Sequence, residues 1–293
     1  MSEIQFKVST HGAELQSLQL NGREYLWHGD PAYWGRRSPI LFPMVGKVYG
    51  NVFRVDGKEY PMGQHGFARD SEFALRPAQG PDGERYVLAD GPRENYPYKF
   101  ELSVSYHTEG RRFYAEWEVL NIDSKDIHFQ IGAHPALLLP DYDPADEIHG
   151  YLQCFDGDGK VVAQPMLSHG LDGGFLTELD APVPMPVENG LLPITGETFS
   201  IDTFMLEHGQ VKSVTMLDKD KKPYLSVGSD QTEAYGIWAP YKPGCPFVCL
   251  EPWCGITDLV GFGGDLSERY LDHCLAPGEK FEFTYWIEIQ PGS

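Results

Sequence analysis

The sequence predicts an all-β chain built from many antiparallel strands, and three observations carry that reading. Apolar residues recur with period two through most of the chain, as half-buried strands require. Turn dipeptides able to adopt positive φ punctuate these runs. Helical patterns are few and short. In chain order, Asn21-Gly22 marks an early turn, and Asp56-Gly57 joins Val52–Val55 to Lys58–Tyr60 as the two arms of a hairpin. Phe100, Leu102, Val104 and Tyr106 alternate with polar neighbours, as do Phe113, Ala115, Trp117 and Val119. Asp158-Gly159 marks another turn, and the proline-rich stretch from Pro182 to Pro193 reads as an extended loop within one domain spanning residues 1–293. The clearest helical pattern, Asp265 to Leu271, is short, and Phe281 to Ile289 closes the chain with large apolar residues at every odd position. No internal repeat supports a propeller or solenoid.

Composition narrows the function classes. The 293 residues carry 41% hydrophobic and 13% aromatic side chains, enough for a sizeable core. A net charge of −20 opposes duplex nucleic acid and anionic membrane as partners, because both select a cationic surface. A neutral small molecule suits it better. Basic residues do gather locally, at Arg36, Arg37, Lys47, Arg54, Lys58 and Arg69, where a sugar phosphate could be met. Met1 to Lys7 lacks the pattern of a secretory leader, and no run of eighteen apolar residues occurs, so a soluble, cytoplasmic protein is expected. Five cysteines, an odd number in a large chain, do not read as a disulfide framework, and Cys245, Cys249 and Cys254 lack the paired Cys-x-x-Cys spacing of zinc sites. Buried thiols are the expectation there.

Three short runs concentrate proton-transfer chemistry: Gln64 to Asp70 around His65, Gly132 to Ala136 around His134, and Leu250 to Trp253 around Glu251. An imidazole and a carboxylate are the side chains best suited to moving protons near neutral pH. Glu251 follows the apolar run Pro246 to Leu250, which reads as a buried strand with the carboxylate at its end. Burial there is costly unless the carboxylate is paired or used. Taken singly, each residue has a structural explanation as well: a capped glutamate, or a core histidine bonded to backbone. Asp156 to Gly159 lacks the later ligands of a calcium loop, and Gly261 to Gly264 lacks the Lys-Ser or Lys-Thr of a phosphate loop.

Taken together, His65-Gly66-Phe67-Ala68-Arg69, Gly132-Ala133-His134-Pro135 and Leu250-Glu251-Pro252-Trp253 resemble the aldose 1-epimerase (galactose mutarotase) superfamily. Ser38 to Gly46 adds a resemblance to its LacX-like branch. The resemblance runs from about Phe6 to Ile289. It implies a large antiparallel β-sandwich with a sugar site on one sheet face, requiring neither metal nor organic cofactor. It further implies Glu251 as general base, His134 as general acid and His65 as a sugar contact. Lys47 stands near the family's substrate arginine, Arg69 matches an arginine of the hexose-6-phosphate branch, and Asp202 lies near the substrate aspartate. The implied reaction interconverts the α and β anomers of a free aldose, a hexose or hexose phosphate, by ring opening. The alternative is a non-catalytic carbohydrate-binding or sensing protein on the same scaffold.

Overall fold

In the computed structural model, which describes residues 3–77, 84–168, 171–179 and 181–291, period-two sequence becomes antiparallel sheet. Met1 and Ser2, part of the N-terminal reading above, lie outside the described residues. Nine strands form the larger sheet in the order Leu192–Ile194, Gly150–Phe155, Ser213–Leu217, Pro223–Gly228, Lys280–Ile289, Arg112–Asn121, Phe100–Glu109, Glu84–Asp90 and Ala74–Pro77. The C-terminal strand therefore sits at the centre of the sheet. Its register pairs Phe283 with Trp117, Tyr285 with Ala115 and Ile287 with Phe113, and all six side chains are buried. Matching alternation on adjacent strands directs every large odd-numbered side chain to one face, where burial of each contributes about 1.5–3 kcal/mol.

The smaller sheet carries the site. Its order is Ile131–Gly132, Phe247–Cys254, Ala234–Trp238 and Phe204–Leu206, and Ala136–Leu138 also pairs with Phe247–Cys254. All eight residues of Phe247–Cys254 are buried, which accounts for its nearly continuous apolar sequence. Tyr235 on the neighbouring strand donates to the Val227 carbonyl of the larger sheet at 3.0 Å, tying the two layers together. The result is the all-β antiparallel sandwich that the alternation and the resemblance led us to expect.

Several local expectations are refined. Asn21 and Asp56 take φ of 54° and 52°, and Asp56-Gly57 turns the hairpin Val52–Val55/Lys58–Pro61 as read. At Asp158-Gly159 only the glycine has positive φ; the turn is held instead by Asp156, whose carboxylate accepts from the Asp158 and Lys160 amides. The proline-rich stretch contains two short strands, Val183–Pro184 and Leu192–Ile194, because its first and last residues find partners at Met166–Leu167 and Gly150–Phe155. The helical pattern near Asp265 contracts to a single 3-10 turn, Leu266–Glu268, closed by a capping box between Asp265 and Glu268. Among the described residues, no helix is long and apolar enough to cross a membrane.

Candidate active site

Strand register explains why His134 and Glu251 meet. Gly132 pairs with Trp253 and Ala136 with Cys249, and the same register carried across the gap sets position 134 opposite position 251. Pro135 interrupts the ladder without ending it, since pairing resumes at Ala136. Glu251 is likewise in the interior of its strand rather than at the end, because Pro252 and Trp253 continue to pair with Tyr235 and Ala234. The histidine ring thus lies over its cross-strand neighbour, with Nε2 3.2 Å from Oε2 of Glu251. Only 6% of His134 and 1% of Glu251 is exposed.

These two groups line a cavity of about 320 Å³ together with His65, Lys47, Gln64, Arg69, Asp202, Thr203, Met205 and three tryptophans. Trp34 stacks on the His134 ring at 4.8 Å, while Trp238 meets it edge-on at 5.7 Å. Trp253 lies across the sheet itself. A Cβ at Gly132 would fall 2.5 Å from its indole and one at Gly236 would fall 2.4 Å away, so two glycines on the flanking strands clear the space it occupies. Its Nε1 donates to the Ala133 carbonyl at 3.2 Å, which anchors the segment preceding His134.

Burial reverses the order in which the two groups ordinarily titrate. Desolvation raises the Glu251 carboxyl well above its usual range, opposed by a hydrogen bond to Trp253 and reinforced by the Asp202 charge. Desolvation, followed by the nearby Arg69 charge, pushes His134 down to about 3. Reference values make the carboxylate the base and the imidazole the acid. At these buried positions, both groups instead favour their neutral forms. A neutral pair and an ion pair hold the same number of protons, so they differ only in which partner carries one. His134 Nδ1 is buried without a hydrogen-bond partner, while Glu251 Oε2 has His134 Nε2 beside it at 3.2 Å.

His65 is set by backbone. Its amide donates to the Gly46 carbonyl at 2.8 Å, and its Nδ1 accepts from the Gly46 amide at 3.1 Å, so a neutral His65 carries its proton on Nε2. The ring stands edge-on to His134 at 5.5 Å. Burial, then the charges of His134 and Arg69, hold it well below the usual histidine range. Gly66 is required here on two counts: φ is 69°, and a Cβ would lie 2.2 Å from the Phe42 carbonyl oxygen.

The remaining expected residues also reach the cavity, but they are differently engaged. Lys47 Nζ donates to the Gly173 carbonyl at 2.5 Å. Arg69 donates to the Gln64 carbonyl at 2.6 Å and retains a buried Nε without a partner; burial lowers its guanidinium to about 10. The expected pairing of Arg69 with Asp70 is long, at 3.7 Å, because Asp70 is bound by Arg36 at 2.9 Å. Asp202 is exposed at the cavity rim with a φ of 75°.

A buried clamp behind the cavity was not anticipated. Arg269 pairs with Asp258 and donates to Gln130 Oε1 at 2.5 Å and to the Val45 and Lys47 carbonyls at 3.0 and 3.2 Å. Asp258 in turn accepts from the Tyr49 amide at 2.8 Å. This network fixes the loop whose Gly46 orients His65. Local sequence offered only an arginine within a short helical pattern, and nothing in that pattern marks a buried cation. Trp34 and Trp238 were likewise missed, since lone aromatics are ordinary in sheet sequences.

The family model for aldose 1-epimerase matches residues 2–288. The chain belongs to the aldose 1-epimerase family. It is 28% identical over 294 residues to protein LacX of Lactococcus lactis subsp. lactis, covering 98% of this chain and 96% of that relative. A galactose mutarotase related enzyme from Lactobacillus acidophilus superposes with a TM-score of 0.88 at 27% identity, covering 100% of this chain and 98% of the other. A galactose mutarotase-like protein from Lactobacillus casei gives the same TM-score at 24% identity, covering 99% of each chain, and bears on the fold alone. Family membership supports a carbohydrate-directed, epimerase-like role.

Proposed function

We propose that the chain is an aldose 1-epimerase in which Glu251 and His134 form the proton relay and His65 orients the sugar. The observation that supports this most directly is the 3.2 Å approach of His134 to Glu251 on the wall of one small cavity. Mutarotation acts on two oxygens bonded to the same carbon, the anomeric hydroxyl and the ring oxygen. Their proton partners must therefore be close neighbours, and two residues in cross-strand register meet that demand.

Ring opening removes the proton from the anomeric hydroxyl, forms the C1 carbonyl, breaks the bond from C1 to the ring oxygen and delivers a proton to that oxygen. With Glu251 ionised, it is the acceptor and protonated His134 the donor, so no full charge accumulates on the sugar. Rotation about C1–C2 presents the opposite carbonyl face, and reclosure reverses the two transfers. Burial alone favours the neutral pair. Sugar hydroxyls donating to the carboxylate would stabilise its ionised form and shift the shared proton to His134. Trp34, Trp238 and Trp253 supply aromatic walls against which a sugar ring can turn, and Gln64, Lys47, Arg69 and Asp202 supply the orienting polar groups. Lys47 and Arg69 each keep donor capacity that a 6-phosphate could take up.

Anomeric exchange measured by NMR tests the reading across free hexoses, pentoses and their terminal phosphates. Protein-dependent exchange between α and β protons is the expected result for at least one of them. Exchange at the spontaneous rate for all of them would overturn the proposal. A sugar that perturbs tryptophan fluorescence without accelerated exchange would identify a binding protein instead.

A further inference from the structure

The cysteine spacing rules out a linear zinc motif, but the fold assembles a different donor set. Cys249 and Glu251 stand two residues apart on one face of their strand, and the register that sets His134 opposite Glu251 also brings it beside Cys249. One donor atom from each of the three residues lies within 4.8 Å of the others, and all three residues are buried. We propose that one Zn²⁺ binds in the cavity wall through the His134 imidazole, the Glu251 carboxylate and, behind them, the Cys249 thiolate, and that metal and sugar exclude each other. This makes the ion an inhibitor rather than a cofactor.

Three physical arguments favour it. Tetrahedral zinc separates nitrogen, sulfur and oxygen donors by roughly 3.5 Å, so closure asks for about an ångström of side-chain movement. A thiolate beside an imidazole selects Zn²⁺ over Mg²⁺ or Ca²⁺, which prefer all-oxygen shells. Loading is also balanced in charge. The Cys249 thiol and the Glu251 carboxyl each release a proton, His134 contributes a lone pair, and the resulting dication with two anionic ligands is neutral, as burial demands. Three protein ligands leave the fourth position for a water.

A second His/Cys/Glu group, Glu233, Cys254 and His273, provides the control. Its donors are already satisfied, since His273 Nε2 bonds Glu233 at 3.0 Å and the Cys254 thiol donates to the Gln231 carbonyl at 3.2 Å.

The inhibition depends on the proposed function, whereas metal binding does not, and the experiment separates them. Metal-free protein is titrated with Zn²⁺ against a chromophoric chelator and with Co²⁺ while thiolate-to-cobalt absorption is followed in the near ultraviolet. One equivalent and a thiolate band are expected. Cys249→Val and Cys249→Ser should each lose the band and weaken binding at least tenfold, and Cys254→Val should retain both. Stoichiometric Zn²⁺ should abolish anomeric exchange until EDTA restores it, and Cys249→Val should remain active in its presence. The site is overturned if the wild type binds no metal, if both Cys249 variants bind as it does, or if Cys254→Val loses binding. Full activity in Zn²⁺-loaded protein overturns the exclusion alone. Lack of activity in metal-free protein overturns the function and leaves the spectrum to decide the site.

Discussion

At the scale of single residues, the proposed chemistry and stability pull in opposite directions. Glu251 is 1% exposed and its carboxyl is raised by burial, so ionising it in the fold is costly. Glu251→Gln keeps the shape and removes the ionisable group. It should reduce epimerase turnover by about 10²–10⁴-fold while holding or raising the melting temperature, by ~2 °C for each kcal/mol recovered. The buried histidines set a pH dependence with a definite sign. His65 and His134 titrate below an unfolded histidine at about 6.5, so the unfolded chain binds more protons once the pH falls below that value. The histidines' contribution to stability should therefore decline from pH 6.5 toward about 3, opposed by Glu251, whose raised carboxyl holds its proton more tightly in the fold. Urea midpoints across this range should fall less steeply for His65→Gln/His134→Asn than for the wild type.

At the scale of elements, the site depends on what the strands leave out. Trp253 occupies space that only glycine at positions 132 and 236 permits, and an alanine at either would put Cβ within about 2.5 Å of the indole. Gly132→Ala and Gly236→Ala should each destabilise by about 1–3 kcal/mol in denaturant unfolding and blunt turnover by shifting Trp253. The alternating strands and the His65, His134 and Glu251 motifs were legible because period two and motif identity are local properties. Register is not local. Nothing in Gly132 to Ala136 indicates that Pro135 only interrupts pairing, or that the gap holds His134 over Glu251. Lys47, Arg69 and Asp202 line the cavity, yet the Gly173 and Gln64 carbonyls that Lys47 and Arg69 bond could not be read from spacing.

At the scale of the whole molecule, residues from Trp34 to Trp253 converge on one cavity, and Arg269 clamps the loop behind it. Arg269→Met strands the buried Asp258 carboxylate and should cost about 3–5 kcal/mol in denaturant unfolding, while Arg269→Lys should restore little because one ammonium cannot reach all the clamped acceptors. A site assembled from such distant segments should be lost with the fold, so activity and near-ultraviolet dichroism should disappear together in urea. The central claim is that Glu251 works with His134 to open a sugar ring. Polarimetry of freshly dissolved α-glucose, α-galactose and their 6-phosphates, with wild type and Glu251→Gln at equal folded concentration, tests it most directly. The account predicts that the wild type hastens the approach to equilibrium for at least one of these sugars, in proportion to protein, and that the variant does not. A spontaneous rate for every sugar with the wild type, or full acceleration by Glu251→Gln, would contradict it.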